Sequence, residues 1–388
     1  MNTLAALAAP RRFRPGFWTA VFVVLFLAFC TVTVIRYTKG LGAVTNLSDQ
    51  FPWGLWIGFD LLCGVGLAAG AFTLTAVVHL FNLKRFEPIV RPTILTGFLG
   101  YAFVIVALLL DLGQPWRIWH AIVYWNTHSV MFEVAWCVML YTTVLAVEFS
   151  PVVFERFGFH APARLIHRLI TPLVILGVLL STLHQSSLGS LYLIVPSKLH
   201  PLWYSPMLPL YFYISAIGAG IGMVILESYL SKRAFHRHLE MDLLEPLARG
   251  MVVALGIYGL MRLQGIARNH AFGTLGSYEG RMFLVEFLLG VVLPVVLMSF
   301  RRLRTNPDWL VGGAFLAVLG FVMNRLNVSI TGMEAASGTR YLPSAMEIIV
   351  SLGLVATGMA VFAFAVRTFS IFPDGPVAGR SKEPAVGA

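Results

Sequence analysis

The sequence predicts an all-α integral membrane protein with ten transmembrane helices, drawn up as two four-helix bundles with two peripheral helices added outside. Three observations carry this. Of 388 residues, 58% are hydrophobic and only 12% charged, with a mean hydropathy of +0.80, too apolar a composition to clothe a soluble surface. Apolar stretches long enough to cross about 30 Å of hydrocarbon recur along the whole chain. The connectors between them alternate in positive charge. Glycine (35) and proline (20) are at ordinary frequency, so a collagen-like chain is excluded, and the apolar excess excludes disorder.

The first span, 16–36, is continuous from Phe17 to Ile35, longer than a signal-peptide core and followed by no small-residue cleavage site, so it is read as a retained helix. The second, 54–83, carries a ladder of small residues (Gly58, Gly64, Gly66, Ala69, Gly70) that allows close helix contact. The third, 93–112, ends at an Asp111-Leu112-Gly113-Gln114-Pro115 turn, and the fourth covers 129–149. The fifth, 169–193, turns polar late, at His184 and Gln185, and the sixth, 207–230, repeats the small-residue ladder at Ala216, Gly218, Gly220 and Gly222. The remaining spans are 250–267, 281–300, 309–326 and 346–370. Residues 1–373 thus form one membrane domain, and 374–388, rich in Gly, Pro and charge, are expected to be a disordered tail. With both termini in the cytoplasm, 19 Lys and Arg fall inside and 9 outside, as the positive-inside rule requires.

The second to fifth spans can be laid on the sixth to ninth in the same orientation. Leu183, Ser186 and Gly189 then fall on Leu326, Ser329 and Gly332, and Met131-Phe132 resembles Met282-Phe283. This predicts bundles related by an axis near the membrane normal; chance similarity among apolar helices is the alternative.

The net charge of +10 is topology information rather than a nucleic-acid footprint, since no basic tract or aromatic RNA platform accompanies it. Cys30, Cys63 and Cys137 lie in apolar runs without a CxxC pair, which argues against an iron–sulfur ligand set, a zinc finger or a disulfide framework in this chain. Any metal cluster is expected in a partner.

Ionisable groups at membrane depth cost several kcal/mol unless they face a cavity or a partner. Following the topology, Asp60, Asp111, His128, Glu133, His184, Gln185, Arg262 and Glu286 are expected under the extracytoplasmic surface; a buried salt bridge or helix-joining hydrogen bond is the plainer reading of Asp60, Asp111 and Arg262. Glu227 is expected near the cytoplasmic end, either as part of a proton relay or as a carboxylate snorkelling beside Lys232 and Arg233. His79, His160, His167, His236 and His238 fall at the inner edge or in cytoplasmic loops. Bis-histidine haem needs two imidazoles at one depth, and His128 with His184 is the only outer pair. Quinone chemistry needs an apolar cleft, hydrogen-bond donors and a proton route, which the outer cluster supplies, with Trp53 and other outer aromatics available to line it. A haem b quinol oxidoreductase and a secondary transporter are the competing readings.

The run from Phe51 to Asp60 (Phe51-Pro52-Trp53-Gly54-Leu55-Trp56-Ile57-Gly58-Phe59-Asp60), the Asp111–Pro115 turn, His128-Ser129-Val130-Met131-Phe132-Glu133, His184–Ser190 and His200-Pro201-Leu202-Trp203 together resemble the NrfD/polysulfide-reductase membrane subunit superfamily over about residues 15–373, nearest to the ten-helix membrane subunits of HybB-type nickel–iron hydrogenases. Gln114 stands where Arg or Lys is expected in many relatives. The resemblance implies a quinone-reactive subunit of the bacterial inner membrane without haem or iron–sulfur cluster of its own. It also implies an extracytoplasmic ferredoxin-like iron–sulfur partner, nickel–iron hydrogenase large and small subunits or a sibling molybdoenzyme or cytochrome-linked complex, and menaquinone or ubiquinone as substrate. Carboxylates matching Glu133 and Glu227 are implied in proton transfer, with Glu133 between the quinone cleft and the bundle interior and Glu227 toward the cytoplasm. Asp60 and His184 are assigned to hydrogen bonding or proton exchange with the quinone, with Glu286 as a further acid.

Overall fold

The computed structural model describes residues 16–235 and 239–372; the expected tail 374–388 and His236 and His238 lie outside the described residues. Ten helices among them are long and apolar enough to cross a membrane: α1 (Phe17–Lys39), α2 (Trp56–Leu80), α3 (Lys84–Asp111), α4 (Val130–Arg156), α5 (Ile170–Ile194), α6 (Leu208–Phe235), α7 (Met241–Arg268), α8 (Tyr278–Ser299), α9 (Pro307–Ser337) and α10 (Ala345–Thr368). Several run past their expected bounds. A helix does not stop where hydrocarbon stops: α3 begins about two turns before its apolar run, with Pro88 in its first turn, α4 continues through Pro151, and α7 starts a turn ahead of Pro246.

Helices α2–α5 pack as one bundle and α6–α9 as a second, while α1 and α10 lie together outside and rest on α2 and α3. The bundles join where α6 meets α2 and α5, and where α2 meets α9. The seam is built from missing side chains. A Cβ on Gly70 of α2 would lie 2.7 Å from the Gly220 carbonyl oxygen of α6, so only glycine permits this crossing.

α2 is not a uniform α-helix. It opens with a π-helical segment at Trp56–Leu61 and closes with another at Ala76–Leu80, separated by two short α-helical pieces. α9 contains a third such segment at Asn327–Thr331, which carries it eleven residues past its expected end, and α8 a fourth at Leu288–Val292. Wider turns of this kind shift the register of the side chains that follow, and inside a membrane they survive only where protein encloses them. The α2 and α9 segments meet each other, Gly58 facing Ser329. The bundle has a Trp56 end, expected outside, and a Phe235 end, expected in the cytoplasm.

Candidate functional site

A cavity of about 410 Å³ lies between α2, α3, α6 and α10. Its walls are apolar, including Phe59, Phe103, Met223, Leu354 and Phe362, and two carboxyl side chains line it. Asp60 comes from the π-helical start of α2; it is buried, and the Ser351 hydroxyl of α10 donates to its Oδ2 at 2.6 Å. Glu227 comes from α6 toward the Phe235 end; it too is buried, and the Thr96 hydroxyl of α3 donates to its Oε2 at 2.7 Å. The mouth includes Leu230, Val355 and Met359, all exposed, so the cavity opens sideways between α6 and α10 toward whatever surrounds the helices. Glu227 also lines a crevice of about 40 Å³ on its other side, with Ser231, Lys232 and Glu240, leading toward the Phe235 end.

The expected single cluster under one surface resolves into separate groups. Glu286 of α8 is enclosed in the second bundle, away from the cavity. It accepts from Trp203 Nε1 (3.0 Å), Asn324 Nδ2 (2.6 Å) and Asn327 Nδ2 (2.7 Å), and Arg262 of α7 approaches to 3.7 Å. Arg325 of α9 extends this network: it donates to Asn324 Oδ1 (2.7 Å) and Ser215 Oγ (2.9 Å) while its guanidinium lies 3.7 Å from the centre of the Phe212 ring. The arrangement sets the Glu286 carboxylate against Arg262 and ties α6, α7, α8, α9 and the α5–α6 loop together. It is a joint by its geometry, with every carboxylate oxygen already occupied.

His184 and Gln185 sit inside the first bundle. His184 is fully enclosed with Tyr101 edge-to-face at 5.5 Å, and Gln185 donates from Nε2 to the Val65 carbonyl of α2 at 3.0 Å. Asp111 ends α3 beside Arg36 of α1, whose guanidinium donates to the Leu110 carbonyl at 2.6 Å and to that of Leu112. Nearby, Glu347 of α10 accepts from the Tyr341 hydroxyl and from the backbone N–H groups of Asn46 (3.0 Å) and Ser344 (2.8 Å). Outside the spans, burial pushes the Tyr341 hydroxyl above its ordinary pKa, reinforced by Glu347, and pulls the His200 imidazole below its own, against the opposing pull of Glu279.

Glu133 and His128 are exposed at the Trp56 end, apart from the cavity. Ser129 caps α4 by accepting from Phe132 N at 3.4 Å; Val134, Cys137, Val138 and Tyr141 turn inward, and Glu133, in the first turn, lies at the edge of that face and is exposed. Trp53 is half-buried against the Tyr192 ring, 5.6 Å away, and does not line the cavity; its neighbour Trp56 is the buried one and donates to the Glu347 carbonyl at 3.2 Å. Sequence reasoning therefore joined Glu286, Arg262, His184 and Glu133 to Asp60 by depth alone, and separated Glu227 from it on the same ground. It passed over Arg325, Asn324, Ser351, Thr96 and Glu347. Arg325 had a visible signal: it is a cation inside the expected span 309–326, following the fifteen-residue apolar run 309–323 and Asn324.

A family model described as "Polysulphide reductase, NrfD" matches residues 43–335. A protein of Nitratidesulfovibrio vulgaris, named simply "Protein", is 42% identical over 369 residues, covering 92% of this chain and 94% of its own. The probable Ni/Fe-hydrogenase 2 b-type cytochrome subunit of Escherichia coli is 33% identical over 355 residues, 89% of this chain and 90% of its own. The menaquinone reductase integral membrane subunit of N. vulgaris is 29% identical over 389 residues, 92% of each.

Proposed function

The chain belongs to the NrfD family of polysulphide-reductase-type membrane subunits, and from that premise we propose that it is the quinone-reactive membrane subunit of a respiratory oxidoreductase. The observation that carries the reading is the lateral cavity with Asp60 and Glu227 in its walls. A quinone is a lipid-soluble substrate whose ring must leave the hydrocarbon for a pocket that is apolar yet holds a few polar groups. The side opening between α6 and α10 suits entry from the bilayer, and the aromatic and aliphatic walls suit the ring and tail.

Reduction of a quinone to a quinol takes up two electrons and two protons. In this reading Asp60, held by Ser351, meets a quinone oxygen and exchanges a proton with it. Glu227, held by Thr96, restores that proton from the crevice toward the Phe235 end, the cytoplasmic side by charge count. Electrons arrive from an iron–sulfur partner at the Trp56 end. Taking protons from one side while electrons arrive from the other conserves energy as a membrane potential, and the reverse direction spends it. A nickel–iron hydrogenase is the partner favoured by the 33% relative and menaquinone the substrate favoured by the 29% relative. Glu133 takes no part in this relay, since its exposed side chain is not in the cavity.

Leu354→Trp in α10 fills the cavity without touching either carboxylate. In the purified complex it is expected to lower quinone turnover by on the order of tenfold to a hundredfold, with dye reduction by the partner subunits unchanged. Wild-type quinone turnover in that variant removes the cavity as the quinone site.

A further inference from the structure

The first bundle holds a second line of buried polar groups that the cavity does not use. Tyr101 (α3), Tyr141 (α4), Ser181 and His184 (α5) are each 0–1% exposed; neither imidazole nitrogen has a hydrogen-bond partner among the described residues, and the two phenol hydroxyls and Ser181 Oγ make no hydrogen bond of normal geometry there, although Ser181 approaches both phenols and Gln185 that of Tyr101. These groups are contiguous. The Tyr101 and Tyr141 rings meet edge-to-face at 4.7 Å, the Tyr101 and His184 rings at 5.5 Å, and Ser181 neighbours both phenols.

A buried carboxyl group continues the line toward the Phe235 end. Glu148 lies seven residues beyond Tyr141 on α4, two helical turns along the same face. A Cβ built on Gly177 of α5 would be 3.7 Å from Glu148 Oε1 and 3.7 Å from the Tyr141 ring, so the bare backbone of Gly177 leaves room where these two side chains face α5. Gly177, Ser181 and His184, spaced by four and three residues, form one stripe of that helix. At the other end, Gln185 follows His184 and binds the Val65 carbonyl of α2, the helix that carries Asp60.

Buried polar atoms that find no protein partner are satisfied by ordered water. Hydroxyls and a neutral imidazole each both donate and accept, which is what proton transfer along a hydrogen-bonded chain requires. We propose that α3, α4 and α5 enclose a second, hydrated proton path running from Glu148 past Tyr141, Ser181 and Tyr101 to His184, separate from the Glu227 cavity. The hydration of this line stands independently of the quinone reading; its use during turnover rests on that reading.

Radiolytic hydroxyl-radical footprinting of the wild-type complex, read by mass spectrometry, tests hydration without needing turnover. Tyr101 and Tyr141 are expected to be labelled despite full burial, because radicals form from the water beside them, whereas the buried Phe72 and Phe86 are expected to remain unlabelled. Unlabelled tyrosines overturn the proposal. Proton movement per electron pair is then measured in proteoliposomes holding the whole complex, comparing Glu148→Gln and Tyr141→Phe with wild type. Both variants are expected to lose most of it, and Tyr141→Phe guards against a folding defect because it removes only a hydroxyl that makes no hydrogen bond of normal geometry among the described residues. Wild-type proton movement in both overturns the path. A wild-type complex inactive with quinone, yet labelled at both tyrosines, counts against the quinone reading and leaves the hydrated line supported.

Discussion

Asp60→Asn is expected to lower quinone turnover by roughly 100-fold or more, the scale on which a positioned general acid or base contributes, while the complex assembles in normal amount. Asparagine keeps the size of the side chain and still accepts the hydrogen bond that Ser351 gives to Oδ2. The packing of α2 against α10 therefore survives, and what is lost is the ability to exchange a proton inside a cavity whose other walls are almost wholly apolar. The check is quinone turnover per mole of purified complex, alongside dye reduction by the partner subunits. Unaltered quinone turnover would leave Asp60 as a helix-joining hydrogen bond, the plainer of its two sequence readings.

Glu286→Leu is expected to cost about 3–5 kcal/mol of stability, as breaking one side of a buried charge network does, and to cut the amount of complex in the membrane. Three side-chain N–H donors, from Trp203, Asn324 and Asn327, lose their acceptor, and Arg262 is left buried without its counter-charge. Glu286→Gln retains an acceptor oxygen and is expected to lose less. The distinction from Asp60 lies in how the defect appears. Because Glu286 does not line the cavity, whatever complex survives should turn over quinone normally, so the thermal transition falls while turnover per folded molecule holds. The opposite pattern, full stability with lost turnover, would move Glu286 from the joint into the chemistry.

The architecture was readable in composition because the bilayer imposes it. A 58% hydrophobic chain has few ways to satisfy its backbone except by spanning helices, and the ten spans follow in order. The helix ends were less readable, since Pro88 is accepted within the first turn of α3 and charged ends extend beyond the hydrocarbon. The π-helical turns left no trace in residue pattern: they arise where α2 and α9 are enclosed by neighbours, and periodicity along one segment does not record what its neighbours do. The same limit governs the site. Asp60 and Glu227 were identified as buried acids but assigned to different depths and so to different tasks. They share a cavity because α10, the eighth span after the one that carries Asp60 and peripheral by sequence, returns to close a wall beside α3. Depth along each helix was legible, but the direction around it was not. That is why Glu133, exposed on α4 and outside the cavity, was grouped with Asp60.

The proposed quinone site is the space between α2, α3, α6 and α10. Photo-cross-linking of the purified complex with a quinone bearing a photoactivatable group, followed by peptide mapping, measures this directly. The expected adducts fall on cavity-wall segments around Phe59, Phe103, Met223 and Leu354, and excess unmodified quinone removes them. Competable adducts confined to other surfaces, such as the exposed face of α4 that carries Glu133, would contradict it.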